Sequence, residues 1–367
     1  MQSTATLDPP QSALTEVRTK MKLFLKILLA LIAIFVIGGI FLPAKTRVER
    51  QIEIARPANF IYQFFNGFKR YNEWSPYFAK DKATQYQYLG SETGLGAKMA
   101  WQSKILGDGS QTVVEAKENE LIVTDLVFEG GDGKAFYQLQ AQGDKTTVTW
   151  AFESDAGTSF LASMPGRWMN LFVERFVAPD YEAGLANLKA RVEKLPNAKF
   201  GNFSVQLQQV DVRPIIRIDA EANDNLLDIS GAYAKAYGAL SEVLTAQNAE
   251  AFPSAPMGLD LGRKEGKYYF QPALTTATEL KSQGAVTAET LPASNVLYAV
   301  HTGLYDRLEN TANLLRAYAE VYGYKAKGPL VFAFVDDPTT MDPEAVRTEL
   351  ILYLEQASAT ANSGRYR

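Results

Sequence analysis

One apolar run near the N-terminus constrains this chain more than any other feature. Residues 23–42, LFLKILLALIAIFVIGGIFL, carry Lys26 as their only charge. A helix of this length rises about 30 Å, the thickness of a hydrocarbon core. A helix that packs against the core of a soluble protein normally keeps one polar side toward water, and this run has none. No small-x-small pattern, which would indicate cleavage of a signal peptide, follows it. We therefore predict a transmembrane helix over residues 21–42, preceded by a disordered tail of residues 1–20.

Basic side chains flank this run on both sides, so that the positive-inside count is nearly tied. They are Arg18, Lys20, Lys22 and Lys26 on one side, and Lys45, Arg47, Arg50 and Arg56 on the other. A short basic tail ahead of a single span favours a cytoplasmic tail. The prediction is a single-pass membrane protein whose globular part is periplasmic or otherwise extracytoplasmic.

The cysteine and histidine content narrows the possible chemistry. Among 367 residues there is no cysteine and one histidine, His301. Thiol nucleophiles, iron–sulfur clusters, zinc ribbons and multi-histidine metal sites are therefore excluded. Any catalysis would rely on carboxylates, Tyr, Ser/Thr, Lys or Arg, and we expect no cofactor.

The charge distribution argues against nucleic-acid binding. Residues 1–199 carry 23 basic and 21 acidic side chains, whereas residues 200–367 carry 14 and 20. No basic stripe with interleaved aromatic residues occurs, and the C-terminal half is acidic, so direct contact with DNA or RNA is not expected. The sequence leaves protein partners open.

Residues 47–195 show the pattern of one α+β domain. The stretch RVERQIEIARP alternates like a half-buried strand, and a helix is expected after Pro57. Six further short alternating segments with turn residues between them predict an antiparallel meander. They are residues 85–89, 97–103, 112–116, 121–128, 136–142 and 146–153. An apolar stripe over residues 167–195 predicts a long helix that covers the sheet.

This stretch resembles a known superfamily. ARPANFIYQF, NEWSPY, GLGAKMAWQS, TTVTWAF and YEAGLANLKARVE are similar to the polyketide-cyclase-like branch of the START-related SRPBCC superfamily. The resemblance implies a helix-grip fold, with an antiparallel sheet curved around a long helix and a deep apolar cavity. Most such proteins bind small molecules, and a few catalyse cyclisation or dehydration. Trp101 and Trp150 either fill the core or form walls of that cavity.

A second domain is expected over residues 203–356. The segment KLPNAKFGNF separates it from the first, and residues 357–367 are expected to form a flexible tail. Strand, helix and two further strands occur twice, about 72 residues apart, with Gly231-Ala-Tyr233 and Gly303-Leu-Tyr305 at equivalent points. Such a repeat predicts a pseudo-symmetric double β-α-β-β sheet with two helices on one side.

This second part resembles the GyrI-like effector-binding domain family. The similar residues are AYAKAYGALSEVL, HTGLYDRL, FVDDP and RTELILYL. The resemblance implies a pocket in which a strand carboxylate, here Glu349, attracts cationic or polar aromatic ligands between aromatic side chains. Tyr233, Tyr237 and Tyr305 are candidates for those side chains. Alternatively, Glu349 lies on a solvated face or pairs with an arginine.

The chain has no helix-turn-helix region, which puts a transcriptional role in doubt. His301 is a candidate ligand contact, although a solitary histidine is more often a packed, hydrogen-bonded residue. The aspartates near 336–342 are expected to form a capped turn. The sequence thus predicts an α+β chain: one transmembrane helix, a helix-grip domain and a GyrI-like double β-α-β-β domain.

Three functions follow. The first is a bacterial membrane-anchored protein that binds hydrophobic or cationic organic molecules without catalysis, for sensing or sequestration. The second is a hydrolase or cyclase with Glu349 as base and Tyr305 as acid. The third is a protein-interaction or envelope-stress scaffold, which predicts closed pockets and a large exposed apolar patch.

Overall fold

The chain forms an α+β structure of two compact units that meet between Glu193 and Lys194. The computed structural model describes residues 11–129, 131–157, 163–251 and 254–355, with side chains from Arg18 onward. The predicted fold class is confirmed. Residues 1–10 and the predicted C-terminal tail lie outside the described residues.

The apolar run lies in a long helix, α1 (Gln11–Ile40). This helix begins within the predicted tail, since residues 11–20 are helical. Its segment Arg18–Ile40 is long and apolar enough to cross a membrane. Most of its large apolar side chains are exposed, among them Phe24, Ile34 and Ile37. The core helix of a soluble protein would bury most of this surface, and α1 does not.

Unit 1 (residues 11–193) contains one seven-stranded antiparallel sheet in the order β1-β7-β6-β5-β4-β3-β2. Its strands are β1 (Lys45–Ile54), β2 (Gln85–Leu89), β3 (Lys98–Gln102), β4 (Gly109–Lys117), β5 (Leu121–Phe128), β6 (Gly131–Gln142) and β7 (Lys145–Asp155). All seven strands were predicted from alternation. Because β1 pairs with β7 along its whole length, the first strand of the meander lies beside the last.

A long helix, α4 (Met164–Val192), packs along this sheet. Pro179 lies within α4 without ending it. The predicted helix after Pro57 is shorter than its apolar spacing suggested: α2 (Ala58–Tyr62) ends early, and α3 (Pro76–Lys80) follows after turns. Phe64, Phe65 and Phe68 are buried, but they lie in these turns and not in a helix.

Unit 2 contains the remaining strands and two helices. The strands are β8 (Gln206–Val210), β9 (Arg213–Ile218), β10 (Ala220–Asn223), β11 (Met257–Lys264), β12 (Lys267–Thr275), β13 (Val286–Leu291), β14 (Ser294–Thr302), β15 (Ala326–Phe334) and β16 (Arg347–Leu354). The helices are α5 (Leu226–Ala246) and α6 (Leu308–Val321). Strand β13 was not predicted, because its sequence VTAETL alternates only weakly.

The strand order of unit 2 shows the predicted repeat. The order is β13-β9-β12-β11-β15-β16-β14-β8, and the short β10 pairs with β12 beside this path. Each half contributes a hairpin flanked by a strand that comes before its helix. The centre is the antiparallel pair of β11 and β15.

The two faces of this sheet carry different clusters. Leu350 and Leu352 pack with Leu315 of α6, whereas Ile351 packs with Met257 and Val331 on the other face. We call the face that carries Leu350 and α6 the helix face.

Candidate ligand-binding site

Unit 1 encloses a cavity of about 700 Å³ between its sheet and α4. We call it the unit 1 cavity. Its walls are mainly aromatic and aliphatic side chains from β2 to β7 and from α4. They include Tyr71, Tyr77, Tyr86, Met99, Trp101, Leu106, Gln111, Leu126, Phe128, Tyr137, Trp150, Phe152, Met169, Val173, Phe176, Val177 and Tyr181. The volume is in the range that holds a drug-sized organic molecule.

Stacked aromatic rings form the deep end of this cavity. The rings of Trp150 and Tyr181 are stacked with centroids 3.8 Å apart, and Tyr137 stacks on the other side of Trp150 at 5.7 Å. Gly184 makes this stack possible, since a Cβ there would lie 2.6 Å from Trp150. The sheet strand and the helix are thus joined through one aromatic column.

Tyrosine hydroxyls line the deep end together with the amide of Gln111 and the carboxylate of Asp180, which is paired with Lys80. Burial raises the pKa values of Tyr71, Tyr77, Tyr137 and Tyr181 above the ordinary range, so these phenols stay neutral at physiological pH. Gln111 Nε2 donates to the hydroxyl of Tyr137 at 3.0 Å. Neutral hydroxyls at the end of an apolar cavity can hydrogen-bond the polar end of a lipophilic molecule.

Both tryptophans that the sequence singled out line the unit 1 cavity. Trp150 is buried at the deep end, and Trp101 is half-buried, its Nε1 donating to the Gly107 carbonyl at 3.1 Å. The sequence reasoning missed the tyrosines. Tyr77 belongs to the motif NEWSPY and Tyr181 to the motif YEAGLANLKARVE. Both motifs are part of the family resemblance, and this was the signal that could have identified these tyrosines.

The three candidate tyrosines of unit 2 lie on the helix face. Tyr233 and Tyr237 are on α5, and Tyr305 begins a short 3-10 turn before α6. The Phe334 ring is 5.4 Å from the Tyr233 ring and 5.8 Å from the Tyr305 ring, between centroids. We call these four residues the aromatic cluster. Tyr237 also donates its hydroxyl to the Met257 carbonyl at 2.9 Å, so it already has a protein partner.

The structure does not bring Glu349 to this aromatic cluster. Thr348 pairs with Phe334 in the register of β15 and β16, so these two side chains lie on the same face, the helix face. Its neighbour Glu349 pairs with Ala333 and points to the opposite face. There Glu349 accepts a hydrogen bond from the Tyr298 hydroxyl at 2.9 Å. Burial and this bond raise the pKa of Tyr298 to about 12.

His301 has two protein partners. Its Nε2 lies 3.1 Å from the Leu304 carbonyl and its Nδ1 lies 2.8 Å from Thr311 Oγ1. A carbonyl only accepts, so Nε2 donates to Leu304. The buried ring thus ties the end of β14 to the start of α6.

Unit 2 also contains a charged pocket of about 460 Å³ beside α6, which the sequence did not indicate. Arg263, Glu309 and Arg316 line it together with Asp260, whose side chain is almost fully buried. Asp260 accepts hydrogen bonds from Arg316 and from the Gly262 amide. Among the described residues, no group of three His, Asp or Glu side chains could hold a metal ion.

The comparisons with known proteins bear on these units. Residues 45–193 match the family model described as polyketide cyclase / dehydrase and lipid transport, which confirms the resemblance predicted for unit 1 and supports small-molecule binding there. This match covers less than half of the chain. A search of the curated proteins finds no match.

Several solved structures are similar to parts of the chain. The C-terminal domain of EcmrR is 16% identical, with a TM-score of 0.38 over 43% of this chain and 100% of that one. SAV2435 bound to tetraphenylphosphonium is 18% identical, with a TM-score of 0.32 over 42% and 94%. A hydrolase encoded by lin2189 from Listeria innocua is 10% identical, with a TM-score of 0.32 over 41% and 92%.

Proposed function

We propose that the chain is a membrane-anchored protein that binds a lipophilic small molecule in the unit 1 cavity. The observation that carries the proposal is the cavity itself, with about 700 Å³ of mainly apolar space and tyrosine hydroxyls at its deep end. Apolar burial supplies affinity for such a ligand, and a few polar groups orient it. The membrane anchor is supported by the length and exposed apolar surface of α1.

The roles of Trp101 and Trp150 belong to this proposal. Trp150 lines the deep end as part of the aromatic column, and Trp101 lines the cavity nearer the surface. Catalysis is not needed for this function. The enzymatic alternative joined Glu349 to Tyr305, which lie on opposite faces of their sheet, so we do not propose it.

Native mass spectrometry of the full chain, purified from its membrane in mild detergent, tests the proposal. We expect a bound lipophilic molecule, visible as an added mass and identifiable after extraction. Val173→Trp should remove most of it, because a larger side chain at this cavity-lining position occupies ligand space. Val114→Trp is the matched control, since Val114 lies exposed on β4. Equal retention of the molecule by both variants would refute binding in the cavity.

A second candidate function is the binding of an aromatic cation by unit 2. It is supported by the aromatic cluster, because aromatic faces attract organic cations. The carboxylate of Asp260 lies nearby but is already paired with Arg316. Glu349 and Tyr298 form a second proposed ligand contact, on the other face of the sheet. His301 is a third proposed contact, although both of its ring nitrogens are already bonded to the protein.

A fluorescent cationic aromatic dye distinguishes these contacts. If the dye binds on the helix face, Tyr305→Ala should lower the affinity for the dye several-fold, whereas Glu349→Gln should leave this affinity unchanged. Binding at Glu349 predicts the reverse. The titrations use the Val173→Trp background, so that dye entering the unit 1 cavity is not counted. Equal affinity in all variants would exclude both contacts.

A further inference from the structure

The start of α4 is fixed to the last turns of α1. The indole of Trp168 stacks on Phe35 with ring centroids 5.7 Å apart, and its Nε1 donates to the Phe35 carbonyl at 3.0 Å. Gly38 lies beneath the same indole, where a Cβ would come within 2.8 Å of it. Arg167 also donates to the Leu42 carbonyl at 2.8 Å. Small residues thus let α4 approach the apolar helix closely.

These contacts set the depth of α4 in any membrane around α1. Phe35 lies five residues before the end of α1 at Ile40, which is about 7 Å along the helix axis. If the apolar run spans the hydrocarbon core, that core extends to Leu42, and the indole of Trp168 reaches into its outer part. Asn170, which donates to the Ala44 carbonyl at 3.1 Å, then lies just beyond the core, in the headgroup region.

An exposed apolar stripe continues from this point along α4. Met169, Phe172 and Phe176 recur at helical spacing, and Leu171 lies beside them. Phe176 is 66% exposed. Exposed apolar patches of this kind mark contact with a protein or a membrane. Their continuity with α1 favours the membrane, because a bilayer that surrounds Phe35 also reaches the next turns of α4.

The mouth of the unit 1 cavity lies at the same end. Among its lining residues, the exposed ones are Gly131, Asp132, Asp155, Pro165, Met169 and Phe176. Asp155 pairs with Lys45 at the start of β1, and the next residue, Ala156, donates its amide to the Ala44 carbonyl. The deep end, with Trp150 and Tyr181, lies farther from α1 along both β1 and α4.

From these contacts we infer that the first half of α4 lies in the headgroup region of the membrane that α1 crosses, so that the unit 1 cavity opens onto lipid. The inference rests on the proposed membrane anchor and adds the route of the ligand. A lipophilic molecule then enters from the bilayer without crossing water, past the apolar side chains of Met169, Val173 and Phe176. The stripe is covered by lipid rather than by a protein partner.

Single nitroxide labels on the full chain in liposomes test this placement. The chain contains no cysteine, so each introduced cysteine carries the only label. Phe172→Cys and Phe176→Cys report on the stripe, and Ile32→Cys reports on α1. Leu95→Cys is the matched control, because Leu95 is as exposed as Phe176 at 66% but follows β2 at the end of the sheet away from Ala44. All these side chains are exposed, so folding is preserved.

The experiment measures the accessibility of each nitroxide to two paramagnetic relaxing agents. These are oxygen, which concentrates in lipid, and a nickel chelate, which stays in water. We expect the two α4 labels to show several-fold more oxygen and several-fold less nickel accessibility than the Leu95 label. If they match the Leu95 label while the Ile32 label lies in lipid, the inference is overturned and the anchor stands. Protection from both agents would mean that a second protein surface covers α4, which also overturns it. An Ile32 label in water would overturn the anchor itself.

Discussion

Individual side chains decide the shape of the unit 1 cavity, and Gly184 is the most sensitive of them. A Cβ at this position would lie 2.6 Å from Trp150 and 3.0 Å from Pro76. Gly184→Ala should therefore displace the Trp150 ring from Tyr181 and lower the free energy of unfolding by about 1–3 kcal/mol. Chemical unfolding followed by tryptophan fluorescence measures this loss, since all four tryptophans of the chain lie in unit 1.

Gly238 provides the matched control, because it is also a helical glycine. A Cβ there meets nothing within 4 Å. Unit 2 contains no tryptophan, so its unfolding is followed by far-UV circular dichroism. Gly238→Ala should leave the free energy of unfolding unchanged or raise it by up to about 1 kcal/mol, as expected for alanine in a helix. Equal destabilisation by both substitutions would mean that contact with Trp150 is not the cause.

Glu73 should contribute a pH-dependent part of the stability. Burial raises its pKa, but the ion pairs with Arg70 and Arg191 outweigh this effect, so the pKa is lowered overall. A carboxyl with a lowered pKa stabilises the fold above its unfolded value of about 4.3 and loses this contribution as the pH falls through its folded value. Glu73→Gln should lower the unfolding midpoint at neutral pH, and the difference from wild type should vanish in acid.

The control for this experiment is Glu118→Gln, which replaces an exposed carboxylate of the same unit. We expect its unfolding midpoint to follow the wild-type pH profile. A Glu73→Gln difference that persisted unchanged in acid would mean that packing, rather than the ion pairs with Arg70 and Arg191, causes the destabilisation.

At the scale of secondary structure, alternation predicted the strands well where one face is buried. The seven strands of unit 1 alternate apolar and polar residues because the sheet has one covered face, and this pattern is visible without a structure. The helix after Pro57 was overestimated, since its phenylalanines are buried from turns. Strand β13 was missed because an edge strand needs little apolar alternation.

The candidate site of unit 2 could be predicted only in part. The tyrosines recur at equivalent points of the two halves, and the structure gathers them around Phe334. The face to which Glu349 points depends on strand register: a shift by one residue moves a side chain to the opposite face. In this register Thr348 pairs with Phe334 and therefore lies on the helix face. Asp260 and Arg316 are 56 residues apart, so their pairing depends on the tertiary fold.

The join between β14 and α6 makes a further prediction. Because both ring nitrogens of His301 are bonded to Leu304 and Thr311, His301→Phe should destabilise unit 2 by about 1–3 kcal/mol through the unpaired groups it leaves. Hydrogen exchange should become faster at residues 304–311. Dye affinity should stay within twofold of wild type, whereas Tyr305→Ala should lower it; a larger loss in His301→Phe would assign the histidine to the ligand.

At the scale of the whole molecule, each unit has its own sheet and its own core. Among the described residues the two sheets share no strand, and the family match ends at residue 193, where unit 1 ends. The apolar cavity belongs to the unit that carries α1, and the acidic part of the sequence belongs to the other. We therefore expect a perturbation of one core to leave the other folded.

Hydrogen exchange of Gly184→Ala, followed by mass spectrometry on the full chain in detergent, tests this independence. The substitution weakens the aromatic column of unit 1, so amides in residues 45–193 should exchange faster. Amides in β9 to β16 should keep wild-type rates, because their hydrogen bonds lie within the second sheet. Gly238→Ala should leave both regions unchanged. If Gly184→Ala accelerates both units equally, the chain unfolds as one cooperative body, and ligand binding in the cavity would then stabilise unit 2 as well.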